Sequence, residues 1–234
     1  MTASLVLAST SRYRRAQLER LGLLFACEAP RVDEGPLQES GRPPQEIASE
    51  LALAKAREVL RRFPSARVIG GDQVPEVEGR VLTQPGTVER ARDQLTSLAG
   101  KTHRLWTALS VVDAESEWSH LEVAELTMRT LTSEEIAAYV ERDEPLDCAG
   151  SYKLEAAGIG LFERIECADW TSIEGLPLLA LANRLRAIPS RRVGIAGVRR
   201  RSRRRSLGLW GRVGRGRPRP GPCRRHAGPR TRVA

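Results

Sequence analysis

The chain has 234 residues, of which 29% are charged and 41% hydrophobic, and its formal net charge is +9. This length suits one α/β domain or two small lobes around a sizeable core, and no run approaches the ~20 apolar residues that a membrane span needs. The four cysteines form no CxxC pair, which argues against a zinc site or a disulfide framework and fits a reduced, cytoplasmic protein.

Residues 4–8 predict a short buried strand, and the hydroxyl-rich residues 9–11 lead into a helix that Gly22 caps at its C-terminal end. The strand, the turn and the start of the helix together form an anion-binding site, and phosphate is the ligand that suits it best. Backbone N–H groups and hydroxyls face outward there, and Arg14 and Arg15 add positive charge. The alternative is that a serine caps the helix and the arginines are solvated.

Residues 25–29 predict a second strand, which leads into a polar loop containing Asp33 and Glu34. Two adjacent loop acids are usually solvated, and the alternative is that they act at a site.

A helical pattern follows from residue 43 to about residue 63, and one row of it consists of Ile47, Leu51, Lys55 and Val59. A lysine within an apolar row either extends to solvent, which is the commoner outcome, or faces an anion at a site.

The stretch 68–74 is the centre of the predicted fold. Val68 and Ile69 predict the end of a buried strand, and the two glycines after them open the backbone and free Asp72 for chemistry. An acid placed there can hold a metal or take a proton. The alternative is an ordinary Gly-Asp turn that closes the strand.

A polar, hairpin-like segment at 75–79 precedes a helix that starts at Thr87 and has Val88, Ala91, Leu95 and Leu98 as its inner face. Residues 104–112 and 118–130 then predict a β-hairpin. His103, at its entrance, is interpreted as a hydrogen-bonded histidine at a strand end rather than as a catalytic base.

Thr132 and Glu135 form a capping box that starts another helix. A turn of small residues at 148–155 follows and includes Lys153 and Glu155. Residues 158–165 predict one more buried strand, and a last helix runs to about residue 186.

Residues 189–234 differ in composition from the rest of the chain. They contain 16 arginines and no lysine, aspartate or glutamate, so residues 1–188 carry 22 basic and 29 acidic groups. The tail has no apolar periodicity, and we therefore expect it to be disordered, with nonspecific binding of nucleic acid through its charge. Our preferred hypothesis is that the tail is the product of a shifted reading frame in a GC-rich gene, which the coding DNA would reveal.

Five stretches, in this order, resemble motifs of the Maf family, the septum-formation-inhibitor-like nucleotide pyrophosphatases. They are residues 8–11 with Arg14 and Arg15, residues 32–34 with Lys55, residues 71–74, residues 149–163, and residues 175–178. The sequence Gly-Asp-Gln-Val at 71–74 resembles the version of the central motif in the 7-methyl-GTP subfamily. The resemblance covers residues 5–188, so we expect a Maf-like domain at 1–188 and a separate tail at 189–234.

The resemblance implies a mixed α/β fold of the inosine-triphosphatase-like kind, with a twisted sheet, flanking helices and two lobes around a cleft. It also implies hydrolysis of a nucleoside triphosphate between the α and β phosphates, with Mg²⁺ or Mn²⁺ as cofactor, and often a homodimer. No membrane partner is expected.

Individual roles follow from the same resemblance. It implies that the triphosphate is bound by Ser9, Arg14, Arg15, Lys55 and Lys153. Glu34 and Asp72 would hold the metal, and Asp72 would also activate the attacking water. Tyr13, Gln73 and Glu155 are specificity candidates: Tyr13 would stack on a methylated, positively charged guanine, and Glu155 would accept hydrogen bonds from its Watson–Crick edge.

Two departures qualify this assignment. Thr83-Gln84-Pro85 stands where the family has Gly-Lys-Pro, and a lost charge-assisted contact is worth about 1.5–3 kcal/mol, so we expect slower turnover or weaker substrate binding. Residues 154–157 replace a Ser-Glu-Gly type of turn, which allows the loop around Glu155 a different position.

Three alternatives follow. The first is action on dTTP or UTP within the same family, which Gln73 disfavours. The second is a catalytically weak nucleotide-binding or cell-division-related protein, which Gln84 favours. The third, a nucleic-acid-binding module, rests on the tail alone.

Overall fold

Seven strands form one mixed sheet in the computed structural model, which describes residues 4–188. The strands are β1 Leu5–Ala8, β2 Phe25–Glu28, β3 Arg67–Val77, β4 Arg80–Val81, β5 Thr102–Val112, β6 Glu117–Met128 and β7 Phe162–Glu166. The helices are α1 Arg12–Glu19, α2 Gly35–Gln38, α3 Pro44–Arg62, α4 Val88–Leu98, α5 Ser133–Asp143, α6 Thr171–Glu174 and α7 Leu178–Ala187, with a 3-10 helix at Ala157–Leu161. The mixed α/β class with flanking helices is confirmed, and the predicted tail at 189–234 lies outside the described residues.

The sheet order places the end of β1 beside the middle of β3. The order is β2-β1-β3-β5-β6-β7, with β4 paired to β3, and β1 is parallel to both of its neighbours while the other pairs are antiparallel. β1 ends at Ala8, opposite Gly70, whereas β3 continues to Val77. The residues of β3 just past Gly70 therefore have no β1 neighbour, which leaves room for a site.

Helices cover both faces of the sheet. On one face, the buried row of α3 packs on the sheet through Ile47, Leu51 and Val59. On the other face, Leu18 of α1 and Leu181 of α7 pack against β1, β3 and β5. A further cluster under α4 and α5 fills the β5–β6–β7 end of the sheet. The amphipathic pattern that predicted α3 is thus confirmed.

The stretch 68–74 does not end a strand, so both the predicted strand end and the alternative Gly-Asp turn are wrong. A Cβ at Gly70 would lie 2.2 Å from the Ala52 carbonyl oxygen of α3, and a Cβ at Gly71 would lie 2.8 Å from Leu176 Cδ2. The two glycines allow a helix and a leucine to approach an unbroken strand from opposite faces.

Other predictions had mixed outcomes. The β5–β6 hairpin and the capping box of Thr132 and Glu135 are confirmed. The predicted inner face of α4 is wrong at Val88, which is exposed. The buried strand predicted for 158–165 is wrong in its first half: this segment is the 3-10 helix, in which a Cβ at Gly158 would lie 2.4 Å from the Lys153 carbonyl oxygen. The second half is a strand, β7, but none of its residues is buried.

His103 is a structural residue, as predicted. It is buried, its Nε2 lies 3.0 Å from the Tyr152 hydroxyl, and burial lowers its pKa to about 4. Within residues 4–188, no helix combines the length and apolarity that a bilayer crossing needs.

Candidate active site

A cleft of about 1190 Å³ opens where β1 ends and β3 continues. Its walls come from the β1–α1 loop, the middle of β3, the loop after β4, the segment after α5, and α6. Nine of the ten site residues predicted from the sequence line it: Ser9, Tyr13, Arg14, Glu34, Lys55, Asp72, Gln73, Lys153 and Glu155. The fold thus brings together residues that are separated by more than 140 positions in the chain.

Two acids share the ammonium group of Lys55 at the centre of the cleft. Lys55 Nζ lies 2.6 Å from Asp72 Oδ1 and 2.7 Å from Glu34 Oε1. Lys55 and Asp72 are only 6% and 5% exposed. The commoner outcome for a lysine in an apolar row, extension to solvent, is therefore wrong here.

The alternation of β3 explains this meeting. Side chains on a strand point alternately to opposite faces, so Gly70, Asp72 and Val74 all face α3. Lys55 lies in the row of α3 that packs on that face, one turn after Leu51. The one lysine in the apolar row of α3, Lys55, is thus placed next to Asp72, the acid on the facing side of β3.

Burial raises the pKa of Asp72 above its ordinary value. The positive charges of Lys55 and Arg14 counteract part of that effect, and the negative charge of Glu34 adds to it. Burial thus increases the proton affinity of this carboxylate, a property that suits a general base.

The β1–α1 loop presents hydroxyls and backbone N–H groups to the cleft. Ser11 caps α1, since its side chain accepts from the Arg14 N–H at 3.4 Å, so the capping alternative is correct for Ser11. Ser9 is buried, and its Oγ accepts from the Ser11 N–H at 3.1 Å. The loop is thereby fixed in shape before any ligand binds.

The arginines of α1 have different positions. Arg14 donates from Nε to the Gly175 carbonyl at 3.2 Å, and burial lowers its pKa while Asp72 and Glu34 offset part of that effect. Arg15 is not brought to the cleft: it is exposed and pairs with Glu19 at 3.1 Å. Arg12 lines the cleft instead.

Lys153 is held at the C-terminal end of α5. Its Nζ donates to the carbonyls of Asp143 and Glu144 at 2.8 and 2.9 Å and lies 3.6 Å from Asp147 Oδ1. Burial alone would lower the pKa of Lys153, but Tyr13 and Asp147 favour the charged form, and the pKa is raised overall. The side chain thus stays cationic while the last carbonyls of a helix fix its position.

Gln73 joins β3 to α6. Its Nε2 donates to the carbonyls of Ser172 and Ile173 at 2.8 and 3.0 Å. Among the residues that the structure describes, its side-chain oxygen has no donor, so this oxygen is available to a ligand in the cleft.

The other two specificity candidates lie at the rim. The Tyr13 hydroxyl accepts from Arg12 Nη2 at 2.6 Å, and burial raises the pKa of the phenol. Glu155 has an exposed side chain, but neighbouring atoms partly desolvate its carboxylate, and this desolvation together with the nearby charge of Glu174 raises its pKa.

Sequence reasoning missed the wall formed by α6, where Ile173 and Glu174 line the cleft. A four-residue helix is too short to show an apolar period. The available signal was Asp169, whose carboxylate accepts from the Thr171 N–H at 3.0 Å and from its hydroxyl at 2.6 Å, a common way to start a turn of helix.

The acids of the cleft fit a divalent cation that is only partly coordinated by protein. Residues 4–188 contain no group of three or more His, Cys, Asp or Glu side chains arranged to hold a metal. Glu34 and Asp72 nevertheless converge on one point, the Lys55 ammonium. Mg²⁺ is commonly bound by one or two carboxylates, with substrate phosphates and water completing its shell. Glu34 and Asp72 supply that number of carboxylates, and one oxygen of each already pairs with Lys55.

Comparisons with known proteins identify one family. Residues 4–188 match the family model described as "Maf-like protein". A "7-methyl-GTP pyrophosphatase" of Xanthomonas axonopodis pv. citri is 49% identical over 182 residues, which are 78% of this chain and 95% of the relative. A protein of the same name from Bdellovibrio bacteriovorus is 44% identical over 177 residues, 76% of this chain and 93% of the relative. Another, from a Polaromonas species, is 48% identical over 185 residues, 78% of this chain and 84% of the relative.

Proposed function

The chain belongs to the Maf-like protein family, and we propose on this premise that it hydrolyses a nucleoside triphosphate between the α and β phosphates. The products are the nucleoside monophosphate and pyrophosphate. The proposed substrate is 7-methyl-GTP, the nucleotide named in relatives that are 44–49% identical to this chain. The observation that carries the proposal is the buried Asp72, paired with Lys55 at 2.6 Å inside a cleft with further cationic side chains.

Asp72 is the proposed general base. Its burial raises its proton affinity, and it lies on a rigid strand, so it can take the proton from a water molecule that attacks the α-phosphorus. Arg14 and Lys55 neutralise the negative charge of the phosphates, and Ser9 orients them. Because Lys55 hydrogen-bonds to Asp72, it also favours the ionised form of the base.

A divalent cation, Mg²⁺ or Mn²⁺, would be held by Glu34 and Asp72. When bound, it would supply Lewis-acid stabilisation of the charge that develops on the phosphate oxygens. Lys153, which also lines the cleft, would add positive charge for the phosphates.

Recognition of the base is assigned to Gln73, Glu155 and Tyr13. Guanine presents N–H donors on its Watson–Crick edge, and the free side-chain oxygen of Gln73 and the carboxylate of Glu155 are both acceptors. Methylation at N7 gives the base a positive charge, which the carboxylate and the face of the Tyr13 ring both favour. The Arg12 guanidinium lies over one face of this ring, at 4.8 Å from the centroid, so the base would stack on the other face.

Pyrophosphate release from 7-methyl-GTP, GTP, dTTP and UTP in the presence of Mn²⁺ tests this proposal. We expect the highest kcat/KM for 7-methyl-GTP. Asp72→Asn is the control and should reduce release from the best substrate by about 10²-fold or more, since it removes the base.

Faster release from dTTP or UTP would replace the proposed substrate by the family alternative. No release from any triphosphate would favour the catalytically weak nucleotide-binding protein and overturn the proposal.

A further inference from the structure

The α1 helix places one unassigned arginine, Arg12, in the cleft. Arg12, Tyr13 and Arg14 line the cleft, whereas Arg15 does not. Residues 12 and 15 are nearly one turn apart, and the side chain of Arg15 lies along the helix surface against Glu19. The position of the helix, rather than the number of arginines in the sequence, determines which guanidinium groups reach a ligand.

The Arg12 guanidinium is oriented but retains donors for a ligand. Its Nη2 donates to the Tyr13 hydroxyl at 2.6 Å and lies 3.8 Å from Asp147 Oδ2, which is too far for a hydrogen bond. Within residues 4–188, its Nε and Nη1 make no hydrogen bond. The side chain is 70% exposed. The guanidinium also lies over the Tyr13 ring, with its central carbon 4.8 Å from the ring centroid. A planar guanidinium that rests on a ring and keeps two nitrogens without a hydrogen bond suits two-point binding of a phosphate.

The segment around Asp147 connects Arg12 to the loop that contains Gln84. The Gly86 N–H donates to the Leu146 carbonyl at 3.1 Å, which joins the Thr83–Gln84 loop to the segment that carries Asp147. Arg12 lies against Asp147, and Lys153 Nζ is 3.6 Å from the same carboxylate. Arg12, Gln84 and Lys153 all line the cleft, and the contacts through Asp147 and Leu146 connect them in one wall.

We propose that Arg12 is a phosphate-binding residue for the β and γ phosphates of the substrate, and that it provides on this wall the positive charge that Gln84 does not. The identity of the ligand, a nucleoside triphosphate, rests on the proposed function. Arg12 contacts the leaving pyrophosphate and not the nucleoside, so its contribution depends on the number of phosphates in the ligand.

Binding of two nonhydrolysable ligands to the full chain tests the proposal. The first is the α,β-methylene analogue of 7-methyl-GTP, and the second is 7-methyl-GMP, which lacks the β and γ phosphates. We expect Arg12→Gln to raise the Kd of the analogue by about tenfold to a hundredfold, the range for a lost charge-assisted contact. The Kd of the monophosphate should change by less than about twofold.

Three further variants complete the measurement. Arg57→Gln is the matched control, because it removes one exposed guanidinium that pairs with Glu117 outside the cleft. Arg15→Gln should weaken analogue binding much less than Arg12→Gln does. Gln84→Lys should improve analogue binding by a larger factor in the Arg12→Gln background than in the parent, since two cations on one wall partly replace each other.

The proposal is overturned if Arg12→Gln behaves like Arg57→Gln, if it weakens both ligands equally, or if Arg15→Gln causes the same loss. An equal gain from Gln84→Lys in both backgrounds would overturn the compensating role. If the parent chain binds the analogue but releases no pyrophosphate from any triphosphate, the proposed function is contradicted. The effect of Arg12→Gln on analogue binding would still test the role of Arg12.

Discussion

A buried carboxylate and a buried ammonium face each other at the centre of the cleft, and the catalytic chemistry depends on the charge of both. Asp72 is desolvated, which favours its protonated form, while Lys55 at 2.6 Å favours its ionised form. Glu34 also forms an ion pair with the Lys55 ammonium. The balance between these effects sets the pH at which the base becomes available.

The pH dependence of kcat/KM should report this balance. The base must be deprotonated, so activity should fall as pH drops through the pKa of Asp72, which burial raises above the ordinary aspartate value. Lys55→Met removes a positive charge that lowers the pKa of Asp72. The acidic limb of the pH profile, where kcat/KM falls with decreasing pH, should therefore move to higher pH. The maximal kcat/KM should also fall, by about 10²-fold, because a phosphate-neutralising cation is lost.

Lys101→Met provides the control for this measurement. Lys101 is a partly exposed lysine that pairs with Glu78 away from the cleft. Its loss should therefore leave the acidic limb of the pH profile of kcat/KM unchanged. An acidic limb that stays fixed or moves to lower pH in Lys55→Met would show that Asp72 is not the titrating base.

The residue scale also shows what sequence alone can provide. The spacing of Ile47, Leu51, Lys55 and Val59 placed the lysine on the inner face of a helix, and that is correct. Which partner it meets depends on the register of β3 against α3, and no local pattern encodes that register. Arg14 and Arg15 were likewise equivalent in the sequence, and only the position of α1 separates them.

At the scale of elements, the contact between α3 and β3 positions the two halves of the ion pair. α3 carries Lys55 and β3 carries Asp72, and Gly70 lets the helix backbone approach the strand directly. A longer distance between the two elements would separate the ammonium from both acids.

Gly70→Ala should therefore destabilise the protein and reduce its activity. The new methyl group would lie 2.2 Å from the Ala52 carbonyl oxygen and 2.9 Å from Ala56 Cβ, so α3 must shift. We expect a loss of about 3 kcal/mol in the free energy of unfolding, the upper end of the usual cost of overpacking, measured by urea denaturation.

Gly160→Ala is the matched control. A Cβ at Gly160 meets nothing within 4 Å, so the same substitution there should change the unfolding free energy by about 0.5 kcal/mol or less. Equal effects of the two variants would contradict the close-packing role of Gly70.

The same elements limit prediction from sequence. Two adjacent glycines usually indicate a break in a strand, and they misled the interpretation of residues 68–74 because tertiary packing, not a turn, requires them. Strong local signals were reliable: the capping box of α5 and the two long β-rich runs of β5 and β6 gave the correct elements. The short α6 carried no periodic signal, and the wall it forms was missed.

At the scale of the whole molecule, the charge is divided between two parts of the chain. Residues 1–188 contain more acidic than basic groups, while residues 189–234 contain 16 arginines and no acidic residue. The cleft residues and the family match both lie within residues 4–188. Catalysis and any binding of nucleic acid are therefore expected to be separable.

Deletion of residues 189–234 should leave kcat/KM for the best triphosphate within about twofold of the parent value. The same deletion should abolish nonspecific, salt-sensitive binding of nucleic acid, which is measured by titration with a fluorescent oligonucleotide at several salt concentrations. Loss of hydrolysis on deletion would show that the tail contributes to the enzyme.

The products formed from 7-methyl-GTP test the central claim most directly. A digest followed by ³¹P NMR distinguishes cleavage at the α–β bond from cleavage at the β–γ bond. The expected result is 7-methyl-GMP and pyrophosphate in equal amounts, with neither product formed by Asp72→Asn over the same period. Orthophosphate and 7-methyl-GDP as the products, or equal turnover by Asp72→Asn, would contradict the assignment of this cleft.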